Sequence, residues 1–146
     1  RKQKHVIHIE QQDEMLIAKM DAHLIIQVIM NIVDNAIKYT PPGSKIVISV
    51  RKLDCDILVE VSDNGPGISD EAKEKLFNMF YTVPNVTVDG RRGLGLGLAL
   101  CKTIITAHGG TISVRDNKPH GTIITFTLKS EEVELNEQTF YFGSRG

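Results

Sequence analysis

The residues with chemistry to offer are a polar ridge on one helical pattern and two glycine-bearing stretches. Asn31, Asn35 and Lys38 recur at i, i+4 and i+7. At 100° per residue they stay within roughly 60° of one another, so two carboxamides and an ammonium share one ridge. A solvated helix face would more usually carry Glu and Lys, because Asn is a mediocre helix former, although a polar face that happens to hold two Asn would read the same way. The run Gly93-Leu94-Gly95-Leu96-Gly97-Leu98 bares alternate backbone N–H groups ahead of a helical pattern. N–H groups and the positive end of a helix together make an anion site, and Arg91 and Arg92 add positive charge. It is not a P-loop, since no Gly-Lys-Ser/Thr follows. It is also a poor dinucleotide fingerprint, because the third glycine would fall on Leu98 and a loop precedes the run. A flexible glycine linker would not place leucine at every second position.

Asp63 follows a strand pattern and precedes Asn64-Gly65-Pro66-Gly67-Ile68. Glycines there let a ligand approach the backbone, and the carboxylate can accept a hydrogen bond from an exocyclic amine such as adenine offers. An Asx-type turn is the plainer reading of that stretch taken alone. Gly121-Thr122, by itself, is an ordinary strand start.

These residues need a frame. The ridge lies on a predicted helix over residues 21–40, whose other side carries a double apolar row, Leu24, Val28, Ile32, Ala36 and Ile25, Ile29, Val33, Ile37. Asp21 is its expected cap and Pro41-Pro42-Gly43 its stop. Alternation predicts half-buried strands over residues 5–10, with Ile7 and Ile9 inward, and 15–20, joined by a turn at Gln11–Glu14. Further strands are expected over 45–52 and 56–62, joined by a hairpin at Leu53–Asp56, and over 111–115 and 122–128. Ser69 is the expected cap of a short helix with Ala72, Leu76 and Phe80 on one face, and a helix to about Ala107 ends at His108-Gly109-Gly110. Paired strands separated by helices predict a two-layer α/β (α+β) sandwich: a mixed, mainly antiparallel sheet covered on one face by three helices. Residues 81–95 read as a long loop of the functional kind, and the pattern is lost after residue 128.

Composition limits the function classes. The chain has 146 residues, 41% hydrophobic and 24% charged, as expected of one soluble domain. A net charge of −1 gives no general electrostatic reason to bind nucleic acid or an anionic membrane. No apolar run approaches the roughly 20 residues needed to span a bilayer. Residues 1–10 lack the uninterrupted apolar segment of a signal peptide. Cys55 and Cys101 lack metal-ligand spacing; Cys101 reads as a core thiol, and a reducing, cytoplasmic setting fits. His5 and His8, three apart on a strand, point to opposite faces and read as surface positions rather than metal ligands.

Taken together, the motifs resemble the catalytic, ATP-binding domain of two-component sensor histidine kinases, which has the Bergerat ATP-binding fold shared with type II topoisomerases, a chaperone family and a mismatch-repair family. Asn31-Ile-Val-Asp-Asn35-Ala-Ile-Lys38-Tyr39-Thr40-Pro41 resembles the N box. Asp63 to Ile68 resembles the first glycine box, Leu76 to Tyr81 the F box, Gly93 to Leu98 the second glycine box and Gly121-Thr122 the last. The resemblance covers about residues 5–128, leaving 129–146 as an extension or tail. The stretch from Arg91 to Lys102 and the run His108 to Asn117 resemble potassium-responsive Kdp-type sensors in particular.

The resemblance implies ATP and Mg²⁺ as cofactors and assigns roles by position. Asn35 would ligate Mg²⁺, Asn31 would sit beside it near the phosphates, Lys38 would contact a phosphate and Tyr39 would pack near the nucleotide. Asp63 would bind the adenine amine, Gly65, Gly67 and Ile68 would shape the base pocket, and Thr122 would line it through a bound water. Phe80 and Tyr81 belong to the F box, residues 81–95 would form the ATP lid, and Arg92, Gly93, Leu94, Gly95, Leu96, Gly97 and Leu98 would hold the phosphates. In ATPase relatives the position of Asn31 holds a glutamate that activates water, a role an amide cannot take. Transfer to a histidine on a separate dimerising helical domain is then expected, followed by a response regulator as partner. None of the five histidines has the phosphoacceptor context, so a monomeric, excised catalytic domain that binds ATP without autophosphorylating is expected. Sensors of this kind are often membrane-anchored, and nothing in this sequence shows an anchor. The alternatives are an ATPase of the same fold, an anti-sigma-factor serine kinase and a non-catalytic nucleotide-binding module.

Overall fold

The computed structural model describes residues 5–11, 18, 20–79, 81 and 97–131. Its elements run β1 (Val6–Gln11), α1 (Ala22–Lys38), β2 (Lys45–Leu53), β3 (Asp56–Asp63), α2 (Asp70–Lys75), α3 (Gly97–Ala107), β4 (Ile112–Asp116) and β5 (Thr122–Lys129). The strands form one five-stranded sheet in the order β1-β2-β3-β5-β4. β1 pairs with β2 in parallel, and every other pairing is antiparallel. The mixed, mainly antiparallel two-layer sandwich is therefore the fold.

Local chemistry sets the boundaries. Asp21 caps α1, its Oδ1 accepting the Leu24 N–H at 3.2 Å. At the other end Tyr39 is the last residue bonded back to the helix, and the Thr40 hydroxyl donates to the Ala36 carbonyl at 2.7 Å. Pro41 and Pro42 offer no N–H to continue the ladder. Leu53 pairs with Asp56, so Asp54 and Cys55 make a two-residue hairpin, with Asp54 at φ 57°. Ser69 caps α2 by accepting the Ala72 N–H at 3.0 Å. α3 begins at Gly97, so the last glycine and leucine of the glycine run belong to the helix.

The apolar row of α1 (Ile25, Val28, Ile32, Ala36) packs with Ile46, Val59, Val61, Ile124 and Phe126 of the sheet and with Cys101, Ile104 and Ile105 of α3. Leu76, just past α2, closes one end of the same core. His108 ties the two long helices together. Its Nδ1–H donates to the Ile104 carbonyl at 2.8 Å, and its Nε2 accepts the Asp21 N–H at 3.1 Å. On the sheet face away from the helices, Glu60 receives Arg115 at 3.0 Å and the Thr125 hydroxyl at 3.2 Å.

The first expected strand is present as β1, but its burial differs from expectation. β1 is exposed along its whole length, with Ile7 47% and Ile9 69% exposed. It lies at the sheet edge, beyond the cover of α1, which packs over β2 and β3. Among the described residues its pairing partner is β2. Of the strand expected over 15–20, Ala18 makes one isolated antiparallel bridge to Ser130, Met20 is outside any strand, and residues 15–17 and 19 lie outside the described residues, as does most of the expected turn.

Candidate functional site

The C-terminal half of α1, the ends of β3 and β5, the turn after β3 and the start of α3 enclose one pocket. Its floor is apolar: Ile32 and Ala36 from α1, Val61 from β3, Ile124 from β5, Leu76 and Leu98. Its polar groups are Asn35, Tyr39, Asp63 and Thr122, with Ile68 on one wall. An apolar slot with a few converging polar groups is the usual form of a small-molecule site.

Asp63 is its best-held polar group. It is the last residue of β3 and pairs across the sheet with Thr122. Its Oδ1 accepts the Gly65 N–H at 2.9 Å and the Thr122 N–H at 3.2 Å. The first of these closes an Asx turn, so the turn reading and the ligand reading of this stretch describe one geometry. Oδ2 has no hydrogen-bond partner among the described residues, and Asp63 is one of the residues lining the pocket. Burial pushes the Asp63 carboxyl above the usual carboxylate range, and the two backbone N–H groups pull it partly back.

The turn needs its glycines because other chain passes close by. A Cβ on Gly65 would stand 2.5 Å from Cγ2 of the buried Thr40 and 3.2 Å from Asp63 Oδ1. At Gly121, φ is +123° and a Cβ would collide with the Asp63 carbonyl oxygen.

The helical ridge is divided. Asn35 lines the pocket. Asn31, one turn earlier, sits beside the Cys101 thiol and, like Lys38, is not among the lining residues. Lys38 Nζ is drawn to Asp34 at 3.9 Å. Tyr39 is half-buried, and burial raises its phenol above the ordinary range. Gly65 and Gly67 shape the turn without lining the slot, and Gly97 stands exposed at the start of α3, one residue before the buried Leu98. Tyr81 is half-buried; Phe80, Arg92, Gly93, Leu94, Gly95 and Leu96 lie outside the described residues.

Sequence reasoning missed two groups. The floor residues Ile32 and Ala36 read only as part of the apolar row, although they flank Asn35 on the same helix, and Val61 and Ile124 complete the floor from the sheet. Asn117 and His120, in the turn between β4 and β5, also meet this site from behind. Asn117 Nδ2 donates to the Asp63 carbonyl at 2.8 Å, and His120 Nδ1 donates to the Gly65 carbonyl at 2.9 Å. No spacing in the sequence connects the two turns.

Among the described residues no three His, Cys, Asp or Glu side chains cluster as a metal centre. No helix among them is long and apolar enough to cross a membrane.

Residues 20–132 match the family model described as histidine kinase-, DNA gyrase B-, and HSP90-like ATPase. The chain is 40% identical over 127 residues to the sensor protein KdpD of Clostridium acetobutylicum, covering 87% of this chain but only 14% of that protein. Among solved structures, the catalytic domain of histidine kinase ThkA aligns with a TM-score of 0.74 and 34% identity, covering 88% of this chain and 82% of that domain. ThkA in complex with the response regulator protein TrrA aligns with a TM-score of 0.71 and 32% identity, over 87% of this chain and 34% of the ThkA chain. With most of its length inside the family model and four-fifths of the ThkA domain covered, the chain belongs to the HATPase_c family, on its histidine kinase catalytic-domain branch.

Proposed function

We propose that this chain binds ATP with Mg²⁺ in the pocket beside α1 and supplies the γ-phosphate to a histidine side chain on a separate dimerisation domain of its parent protein. A response regulator then takes the phosphoryl group, and the domain works in the cytoplasm. The observation that carries the reading is Asp63: one carboxylate oxygen is fixed by two backbone N–H groups, the other has no hydrogen-bond partner among the described residues, and the residue lines a largely apolar slot. A flat heterocycle with an exocyclic amine fits that pattern, and adenine is one.

The residues present also suit the metal. Mg²⁺ takes oxygen ligands and usually keeps several waters, so one amide oxygen and the nucleotide's phosphates suffice. Asn35, a residue of the pocket lining, carries such an oxygen. Bound there, the ion would neutralise phosphate charge. Lys38 would turn from Asp34 towards a phosphate, and Tyr39 and Ile68 would flank the nucleotide. Arg92 and the N–H groups from Gly93 to Leu98 would hold the phosphate chain, with residues 81–95 as the lid and Phe80 and Tyr81 at its base. Thr122 would face the base through water. In the transfer, the Pγ–O bond to the ADP oxygen breaks as a bond from imidazole nitrogen to Pγ forms, and the N–H proton of the imidazole passes to water. The chain's part is positioning and charge neutralisation. Asn31, a carboxamide, has no basic group to take a proton from water, which favours transfer over hydrolysis.

The test is titration of the chain with a non-hydrolysable ATP analogue, with and without Mg²⁺. Saturable binding strengthened by Mg²⁺, and lost from that dependence in Asn35→Ala, is expected; no binding at millimolar analogue rules the reading out. Joined to its dimerisation domain, the chain should place acid-labile phosphate on histidine.

A further inference from the structure

The turn that carries Asp63 is gripped from outside the pocket. Asn117 Nδ2 donates to the Asp63 carbonyl at 2.8 Å, and His120 Nδ1 donates to the Gly65 carbonyl at 2.9 Å. The Asn117 amide cannot be reversed without penalty. Its Oδ1 accepts the Lys118 N–H at 2.8 Å, so a flipped amide would set oxygen against carbonyl on one side and N–H against N–H on the other. The Asn117 N–H in turn donates to the Gly121 carbonyl at 3.0 Å, closing the turn on itself. Neither side chain fills the core: Asn117 is half-buried and His120 exposed. Neither lines the pocket.

Asp63 is therefore held at both its side chain and its main chain. Oδ1 is fixed by the N–H groups of Gly65 and Thr122, and the carbonyl by Asn117. Gly65, which supplies one of those N–H groups, is itself fixed by His120. The direction of Asp63 Oδ2 depends on this short stretch of backbone, and a hydrogen bond weakens steeply when misaligned. We propose that Asn117 and His120 are positioning residues for base recognition: the β4–β5 turn holds the main chain of Asp63 and Gly65 so that the Asp63 carboxylate meets the amino group of a purine. This rests on the nucleotide reading above.

The 146-residue chain is titrated with ATP and with inosine triphosphate, whose purine carries an oxygen where adenine carries the amine. A preference of the unaltered chain for ATP tests the nucleotide reading itself; without it that reading fails before any variant is made. Asn117→Ala and His120→Ala are each expected to weaken ATP binding about three- to tenfold, in the range of one lost hydrogen bond, while inosine triphosphate binding stays unchanged or tightens slightly. Asn117→Asp keeps the shape but sets an oxygen against the Asp63 carbonyl, so it should be worse than alanine. His120→Asn, whose amide nitrogen can stand in for Nδ1, should restore most of the loss. In an Asp63→Asn background neither alanine should change the ratio of the two affinities further. Equal losses for both nucleotides, or losses that simply add to that of Asp63→Asn, overturn the proposal. Should Asn117→Ala fail to fold, His120→Ala and His120→Asn decide it by the same outcomes, since that side chain is exposed.

Discussion

Lys38 Nζ lies 3.9 Å from the carboxylate of Asp34, one helical turn back on α1, although the ridge motif would turn it towards a phosphate. Pairs at i, i+4 on a helix contribute only about 0.2–0.5 kcal/mol, so the contact is easily exchanged for a phosphate. Asp34→Asn should leave stability within about 0.5 kcal/mol, a pair's worth at most. It should tighten ATP binding about twofold at low salt, with the gain shrinking as salt rises. Lys38→Ala should weaken ATP binding and leave adenosine binding unaltered. Equal loss of adenosine binding would move Lys38 from the phosphate end of the site to the base end.

Asp63 sets recognition against stability. Its folded carboxyl titrates above the unfolded value of about 3.9. The favourable contribution of the neutral form is thus complete below about pH 3.9 and fades as pH rises through the folded value, so at pH 7 the buried charge costs stability. Asp63→Asn keeps an oxygen for the Gly65 and Thr122 N–H groups. It should melt no lower than the parent at pH 7, and the difference should close on acidification. ATP affinity should fall at least about tenfold, the loss of a charge-assisted hydrogen bond. Thermal melts from pH 4 to 7 check the sign; a gap that widens towards acid contradicts the account.

Much of this was legible in the chain. The helix of the ridge, the hairpin at Asp54-Cys55 and both N-caps follow from local chemistry, because each depends on residues within four or five positions. Alternation gives β1 as a strand but not its exposure, because it reports two faces and not what covers them; an edge strand beyond the helices alternates without burial. The ridge reads as one surface; in the structure Asn31 lies beside the Cys101 thiol of α3 and Asn35 lines the pocket, a difference that depends on the helix packed alongside and not on spacing within α1. The contacts of Asn117 and His120 join residues more than fifty positions apart through the β3–β5 pairing, which no periodicity encodes.

The two cysteines should behave oppositely. Cys55 is exposed at the β2–β3 hairpin, whereas Cys101 is fully buried between α3 and α1. Burial pushes the Cys101 thiol up to about 11, against the weaker pull of the Asn31 amide. A thiol reagent at pH 7.5 should therefore label one cysteine quickly and the second only as fast as the fold opens. The Cys101 contribution to stability is complete below its unfolded value of about 8.5 and is lost as pH rises towards 11, on the order of 3 kcal/mol. Cys101→Ala should flatten the alkaline decline; rapid labelling of both thiols in the folded chain would contradict the packing.

Gly65 and Thr40 offer a rescue experiment, because the obstruction is one methyl group. A Cβ on Gly65 would stand 2.5 Å from Thr40 Cγ2, and Thr40 is too buried to swing away, its hydroxyl committed to the Ala36 carbonyl at 2.7 Å. Overpacking of this kind typically costs about 1–3 kcal/mol, so Gly65→Ala should lower the melting temperature. Thr40→Ser removes the methyl, keeps the hydroxyl and costs about 0.8 kcal/mol alone. Combined, the two should be less destabilising than their sum, by more than the roughly 0.5 kcal/mol within which independent sites add. The added Cβ also comes within 3.2 Å of Asp63 Oδ1. Gly65→Ala should therefore weaken ATP binding as well, and the serine partner should restore stability more fully than affinity, because it relieves the contact with Thr40 and not the one with the carboxylate. Simple additivity in the melts would show that the turn yields elsewhere.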